Sequence, residues 1–108
     1  MTTKLRQGVD ARSIARLHER IASAENALHE AMTMCDERGK SVLPASTYDH
    51  LQRIRDRLVG VRFGLETPFI RATGDDPSSP FASWEQPRVW LDWLDAREGD
   101  AQRQAPPP

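Results

Sequence analysis

Hydrophobic residues recur at alternating spacings of three and four over the first third of the chain. The series forms one stripe of an α-helix and consists of Ile14, Leu17, Ile21, Ala24, Leu28, Ala31 and Cys35. Two such stripes pack against each other in coiled coils, so the spacing predicts a long helix whose apolar seam needs a partner. Asp10 is placed to cap its start and Gly39 to end it, which predicts a helix over residues 11–38.

A second apolar seam with the same spacing follows a short connection. Its members are Leu51, Ile54, Leu58, Val61 and Leu65. Ser46 and Asp49 form a short capping box, and the helix is predicted to end before Pro68, because the residue preceding a proline disfavours helical geometry. The connection over residues 39–45 is short enough to make the two helices antiparallel. The sequence therefore predicts a coiled-coil-like antiparallel hairpin over residues 10–66.

One antiparallel register fits both seams, because it places each internal alanine of the first helix opposite a leucine. Ala24, for example, faces Leu58. Alternating small and large residues fill the layers of a helix interface without voids. The same register predicts that Glu25 and Arg62 lie close together on the flank, where an ion pair contributes only roughly a few tenths of a kcal/mol if it is exposed.

Proline and aromatic residues are concentrated in the second part of the chain. Only Pro44 of the eight prolines precedes Pro68. Ser83 with Gln86 is a second capping box, and it predicts a short helix over residues 87–97 that Gly99 ends. The apolar face of this helix consists of Val89, Trp90, Trp93 and Leu94.

These patterns divide the chain into four predicted segments. They are a flexible N-terminus (residues 1–9), the helical hairpin (10–66), a Pro/aromatic segment with a short helix (67–98) and a disordered tail (99–108). The tail is predicted to be disordered because it has no large apolar residue and ends in three prolines.

A two-helix hairpin of this length buries one seam and is marginally stable alone. Two arrangements would stabilise it. The aromatic segment could complete a three-helix bundle within one chain, or two hairpins could pair into a four-helix bundle. We expect an all-α homodimeric bundle that also uses the aromatic segment for packing.

Charge and hydropathy restrict the class of protein further. The chain has 15 Lys and Arg against 16 Asp and Glu, so it lacks the excess positive charge of a dedicated nucleic-acid binder. It has no apolar run of the roughly 18–20 residues that a membrane span needs, which argues against a membrane partner. With the single cysteine Cys35 it cannot form an intramolecular disulfide, and a soluble cytoplasmic protein is expected.

Candidate catalytic and metal-binding residues have weak sequence support. His18, Glu25 and His29 lie along one stripe of the first helix, but only the last two have the spacing of a helical ligand pair, and a solvated face is the favoured interpretation. Cys35 could be a nucleophile near His50, although its seam position favours a small buried hydrophobic residue. We predict no catalytic residue, metal site or cofactor.

The aromatic segment supplies the candidate partner-binding residues. They are Phe81, Trp84, Trp90, Trp93 and Leu94. Tryptophan is enriched at interface hot spots because it buries a large rigid surface, but the same residues could instead form the core by covering the hairpin. The sequence favours a non-catalytic protein-interaction module, such as an adaptor, chaperone or inhibitor of a larger protein, a role that phage and mobile-element accessory proteins often fill.

A basic surface on the second helix gives an alternative function. Its residues are Arg53, Arg55, Arg57 and Arg62. Guanidinium groups suit phosphate recognition, so this patch would fit a nucleic-acid-associated regulator. Asp49 and Asp56 interrupt the patch, and arginine greatly outnumbers lysine throughout the chain, which favours ion pairs on a solvated face.

Overall fold

The computed structural model describes residues 9–104, and side chains through residue 99. Within them the protein is all-helical, as predicted. Its elements are α1 (Ala11–Thr33), α2 (Ala45–Phe63), α3 (Glu66–Ala72) and α4 (Val89–Gln104). None of these helices is long and apolar enough to cross a membrane.

Helix α1 begins as predicted but ends before residue 38. The carboxylate of Asp10 accepts a hydrogen bond from the Ser13 N–H at 2.8 Å, which caps the first turn. The helix stops at Thr33, and an isolated bridge between Cys35 and Ser41 folds the connection back on itself. Gly39 lies in this turn with φ +79°, a conformation that favours glycine. Turn chemistry therefore overrides the last turn of the predicted helix.

The prediction that the second helix ends before Pro68 is confirmed, but a further helix that was not predicted, α3, begins at once and includes Pro68. Helix α2 ends at Phe63, and α3 then includes Pro68 at its third position. The first N–H groups of a helix have no partner within it, so a proline is tolerated in the first turn. Gly64 and Leu65, between the helices, keep nearly helical backbone angles, so the chain continues in almost the same direction.

Helix α4 corrects the predicted tail. It starts at Val89, continues through Gly99 and ends at Gln104, so residues 99–104 are helical. Gly99 does not adopt the left-handed conformation that would end a helix. Residues 105–108 of the predicted disordered tail, and residues 1–8 of the predicted flexible N-terminus, lie outside the described residues, while Val9 packs against the core.

The main core lies where α1 meets α3 and α4. Its buried members are Ile14, Ala15, Leu65, Phe69, Trp90 and Leu91. Helix α1 contacts all three other helices. The irregular residues 73–88, which we call the strap, connect α3 to α4. The aromatic segment thus contributes to the core of the single chain.

The buried stripe of α1 is rotated by about one residue from the predicted seam. Its members are Ile14, Ala15, His18, Ala22, Glu25 and Met32. The predicted seam residues Leu17, Ala24 and Cys35 are exposed. The rotation brings His18 against the strap and Glu25 against Arg62 of α2, and polar groups are buried when they have such hydrogen-bond partners.

Several apolar residues of the two predicted seams remain exposed. On α2, Ile54 and Val61 are exposed while Arg62 is buried. We call Leu17, Ala24, Ile54 and Val61 the open face. Of the other seam residues, Ile14 and Leu65 are buried and Cys35 is exposed. The rest are half-buried: Ile21, Leu28, Ala31, Leu51 and Leu58.

Candidate functional site

Five hydrogen bonds fix the strap and the start of α4 to the rest of the chain. They join Trp90 to Pro80, Glu66 to Ala82, His18 to Ser83, Asn26 to Trp84 and His18 to Pro87, over 2.6 to 3.1 Å. The side chains come from α1, α3 and α4, and every partner on the strap is a backbone group. A segment without regular structure is therefore held at several points along its length.

His18, expected on a solvated face, is fully buried and makes two of these bonds. Its Nε2 accepts the Ser83 N–H at 3.1 Å, so its Nδ1 carries the proton and donates to the Pro87 carbonyl at 3.0 Å. Burial lowers the pKa of His18, the Pro87 carbonyl raises it and the charge of Arg62 lowers it further. The ring is therefore neutral at physiological pH.

The predicted proximity of Glu25 and Arg62 is confirmed, but the predicted exposure of the pair is wrong. Arg62 donates to both carboxylate oxygens of Glu25, from Nε at 2.6 Å and from Nη2 at 3.1 Å. Glu25 is 0% and Arg62 3% exposed. A two-pronged pair of this kind satisfies both charges in the interior, which is the condition for burying them.

Trp90, Trp84, Trp93 and Leu94 pack within the chain. Trp90 is 1% exposed, stacks on Phe69 at 4.2 Å between ring centroids and lies 4.4 Å from the ring of His18. Trp93 meets the edge of Phe69, and Leu94 packs against the core. The expectation that Trp90 is available to a partner is therefore wrong. Trp90 is a core residue, as the alternative interpretation of the sequence proposed.

Trp84 lies between two side chains of the hairpin helices. The ring of His29 is 5.2 Å from it, and the guanidinium of Arg55 lies 4.9 Å above it. An arginine over the face of tryptophan is a favourable cation–π contact. Trp84 is half-buried as a result, so it anchors the strap to α1 and α2.

Phe81 is the predicted partner-binding residue that remains free, with 81% of its surface exposed. It adjoins Ala82, whose N–H is bonded to Glu66. Phe63 precedes Glu66 by three residues and Ile70 follows it by four, so both lie on the same side of the helical path, and both are exposed. We call Phe63, Ile70 and Phe81 the aromatic patch: they are exposed apolar residues that flank, in the sequence, the two ends of the bond between Glu66 and Ala82.

Phe63 and Ile70 were not among the partner-binding residues predicted from the sequence, because neither belongs to the predicted seam of the second helix. The spacing of three and four around Glu66 is visible in the sequence. Its significance depends on Phe81, which the strap brings back over a separation of more than ten residues. That return could not be deduced from local periodicity.

The predicted arginine patch does not form one surface. Arg62 is buried with Glu25, and Arg55 contacts Trp84. Arg53 and Arg57 are exposed. Two of the four guanidinium groups therefore serve packing within the chain.

The sequence candidates for chemistry are dispersed. Among the described residues, no three His, Cys, Asp or Glu side chains are grouped so as to hold a metal ion. Cys35, expected in the seam, is exposed, and its thiol donates to the Thr33 carbonyl at 3.5 Å. His18 and Glu25 are committed to the contacts described above.

Comparison with known proteins adds no family to this description. No protein-family model matches the sequence, and no curated protein or solved structure matches the chain.

Proposed function

We propose that the protein is a non-catalytic helical interaction module, an adaptor, chaperone or inhibitor, that binds a larger protein through the aromatic patch. The observation that carries the proposal is the 81% exposure of Phe81 on a segment held by hydrogen bonds. A large aromatic side chain in water is unfavourable, and at an interface it buries a large area. Because the strap is already ordered, less conformational entropy is lost on binding.

The surroundings of Phe81 support the same proposal. Exposed apolar residues scattered singly are ordinary, but a contiguous group on a protein surface is typical of an interaction site. Phe63 and Ile70 are exposed and flank Glu66 in the sequence, and Glu66 is bonded to the strap next to Phe81. The patch thus has an apolar centre on a fixed base, as interface hot spots do.

The test is a comparison of captured proteins. Wild type, Phe81→Ala and the control Val42→Ala are used as baits in native lysate; Val42 is exposed but lies in the connection between α1 and α2. We expect one partner to be retained by wild type and the control and lost by Phe81→Ala. Truncating a hot spot costs at least about 2 kcal/mol, roughly a thirtyfold loss of affinity for the purified partner. Equal affinity of a folded Phe81→Ala protein would exclude the patch.

We further propose that α1 and α2 form a coiled-coil-like antiparallel hairpin and that two chains pair through the open face into a homodimer. The hairpin is supported by the contact between α1 and α2 and by the ion pair between Glu25 and Arg62. The dimer is supported by the exposure of Leu17, Ile54 and Val61, which are apolar residues of the two seams.

Light scattering over micromolar concentrations tests the dimer. We expect twice the 12.2 kDa mass of one chain for wild type, and the mass of a single chain for Val61→Glu, which puts a charge on the open face. A wild-type monomer at all concentrations would contradict the pairing. Phe81→Ala is the control that should leave the dimer intact.

We place the protein in the cytoplasm, where its exposed Cys35 stays reduced. The alternative of a nucleic-acid-associated regulator has less support, because Arg55 and Arg62 are engaged within the chain. It depends on Arg53 and Arg57. Absence of binding to nucleic acid at low salt in a gel-shift assay would end it.

A further inference from the structure

We infer that His18 is a pH-sensitive latch: protonation of its ring releases residues 80–87 of the strap and so disorders Phe81, the member of the aromatic patch that lies on the strap. The release of the strap is a property of the fold. Its effect on a partner rests on the proposed function. The inference rests on the hydrogen bonds of the two ring nitrogens. One nitrogen accepts a bond from the strap backbone, and the other donates a bond to it.

Only the neutral ring fits this environment. The Ser83 N–H points at Nε2 from 3.1 Å and requires a lone pair there. A protonated imidazole carries an N–H on each nitrogen, so two donors would then face each other. The bond from Nδ1 to the Pro87 carbonyl would survive. Protonation thus removes one of the two bonds and leaves a charge in a fully buried position.

The charged groups around His18 do not provide a new acceptor. Glu25 of α1 and Arg62 of α2 are bonded to each other. Glu66 of α3 accepts the Ala82 N–H. From α4 the neighbour is the uncharged ring of Trp90. The two carboxylates favour the charged ring and Arg62 disfavours it, but burial is the largest effect and lowers the pKa of His18.

The response should be local, because the strap has no regular structure of its own. The ion pair between Glu25 and Arg62 joins α1 to α2 independently of Ser83. When the strap opens, His18 meets water and titrates near its ordinary pKa of about 6.5. By linkage, the opening equilibrium increases up to about tenfold for each pH unit below about 6.5, until the pKa of the closed form is reached.

Amide hydrogen exchange followed by NMR between about pH 7.5 and about pH 5 tests the latch. Protection of the Ser83 and Ala82 amides, corrected for the intrinsic exchange rate, should fall by about tenfold per pH unit in the lower part of this range. Amides in the middle of α1 and α2 should keep their protection. The ¹⁵N shifts of the His18 ring should show a proton on Nδ1 at neutral pH and protonation over the same range.

Two histidine variants sharpen the test. His18→Gln keeps a polar side chain that does not titrate, so Ser83 protection should no longer depend on pH. His50→Gln changes an exposed histidine and should behave as wild type. If His18→Gln does not fold, the titration of the His18 ring and the protection of the Ser83 amide in the wild type are enough to test the latch.

Two results would overturn the latch. One is Ser83 protection that is constant while the ring becomes protonated. The other is a loss of protection shared equally by α1 and α2, which would indicate global unfolding. Neither measurement uses a partner protein. A negative result for the latch can therefore be told apart from a negative result in the capture experiment with Phe81→Ala.

Discussion

Replacing Glu25 by Gln should be among the most damaging single changes in this protein. The carboxylate is fully buried and receives two hydrogen bonds from Arg62, which is itself 3% exposed. The amide of Gln retains an acceptor but no charge, so it leaves a guanidinium uncompensated in the interior. Removing one member of a buried pair costs about 3–5 kcal/mol. That is a large part of the roughly 5–15 kcal/mol by which a small domain is stable.

Urea denaturation of a single variant and an apolar double variant measures this effect. We expect Glu25→Gln to lower the free energy of unfolding by about 3–5 kcal/mol and the apolar double variant Glu25→Met with Arg62→Met to lie within about 2 kcal/mol of wild type. Arg12→Met is the matched control, because it breaks exposed pairs with Asp95 and Glu98 and should lower the free energy of unfolding much less than Glu25→Gln does. A loss below about 1 kcal/mol for Glu25→Gln would refute burial of the charged pair.

Three further outcomes are expected. Burial lowers the pKa of His18 in the folded chain. The contribution of His18 to the free energy of unfolding is therefore complete above the unfolded pKa of about 6.5, and it falls by up to about 1.4 kcal/mol per pH unit as the pH decreases toward the folded pKa. Urea midpoints at about pH 7.5 and pH 5.5 should show this loss in wild type and not in His18→Gln. Trp90→Ala should lower the free energy of unfolding by about 3–5 kcal/mol and weaken the near-ultraviolet circular dichroism, because it removes the ring stacked on Phe69. A variant as stable as wild type would place Trp90 outside the core. The Cys35 thiol is exposed, so it should react with an alkylating reagent at nearly the same rate in native buffer and in urea; strong protection in native buffer would contradict its position.

The start of α1 and the presence of α2 were predictable because their signals are local. Asp10 caps the helix with its own side chain, and the three and four spacing of apolar residues is enough to predict each helix. The proximity of Glu25 and Arg62 also followed from matching the two seams. These features depend on neighbours in the chain or on one helix pair.

The buried face could not be predicted in the same way, because its most buried side chains include polar ones. His18 and Glu25 enter the interior only when Ser83, Pro87 and Arg62 are in place. A prediction based on the spacing of hydrophobic residues places polar residues such as these on the solvent-exposed face. Phe63 and Ile70 were not predicted for a related reason, since only the path of the strap bonds Ala82, next to Phe81, to Glu66.

The hydrogen bonds of the strap also determine the order in which the protein can complete its fold. His18 and Asn26 are bonded to residues 58 to 69 positions later in the sequence. A chain emerging from the ribosome therefore forms α1 long before these partners exist, and polar groups destined for the interior must stay hydrated until then. We expect the first half of the chain to remain loosely packed during synthesis and the core to close late, when residues 80–90 arrive.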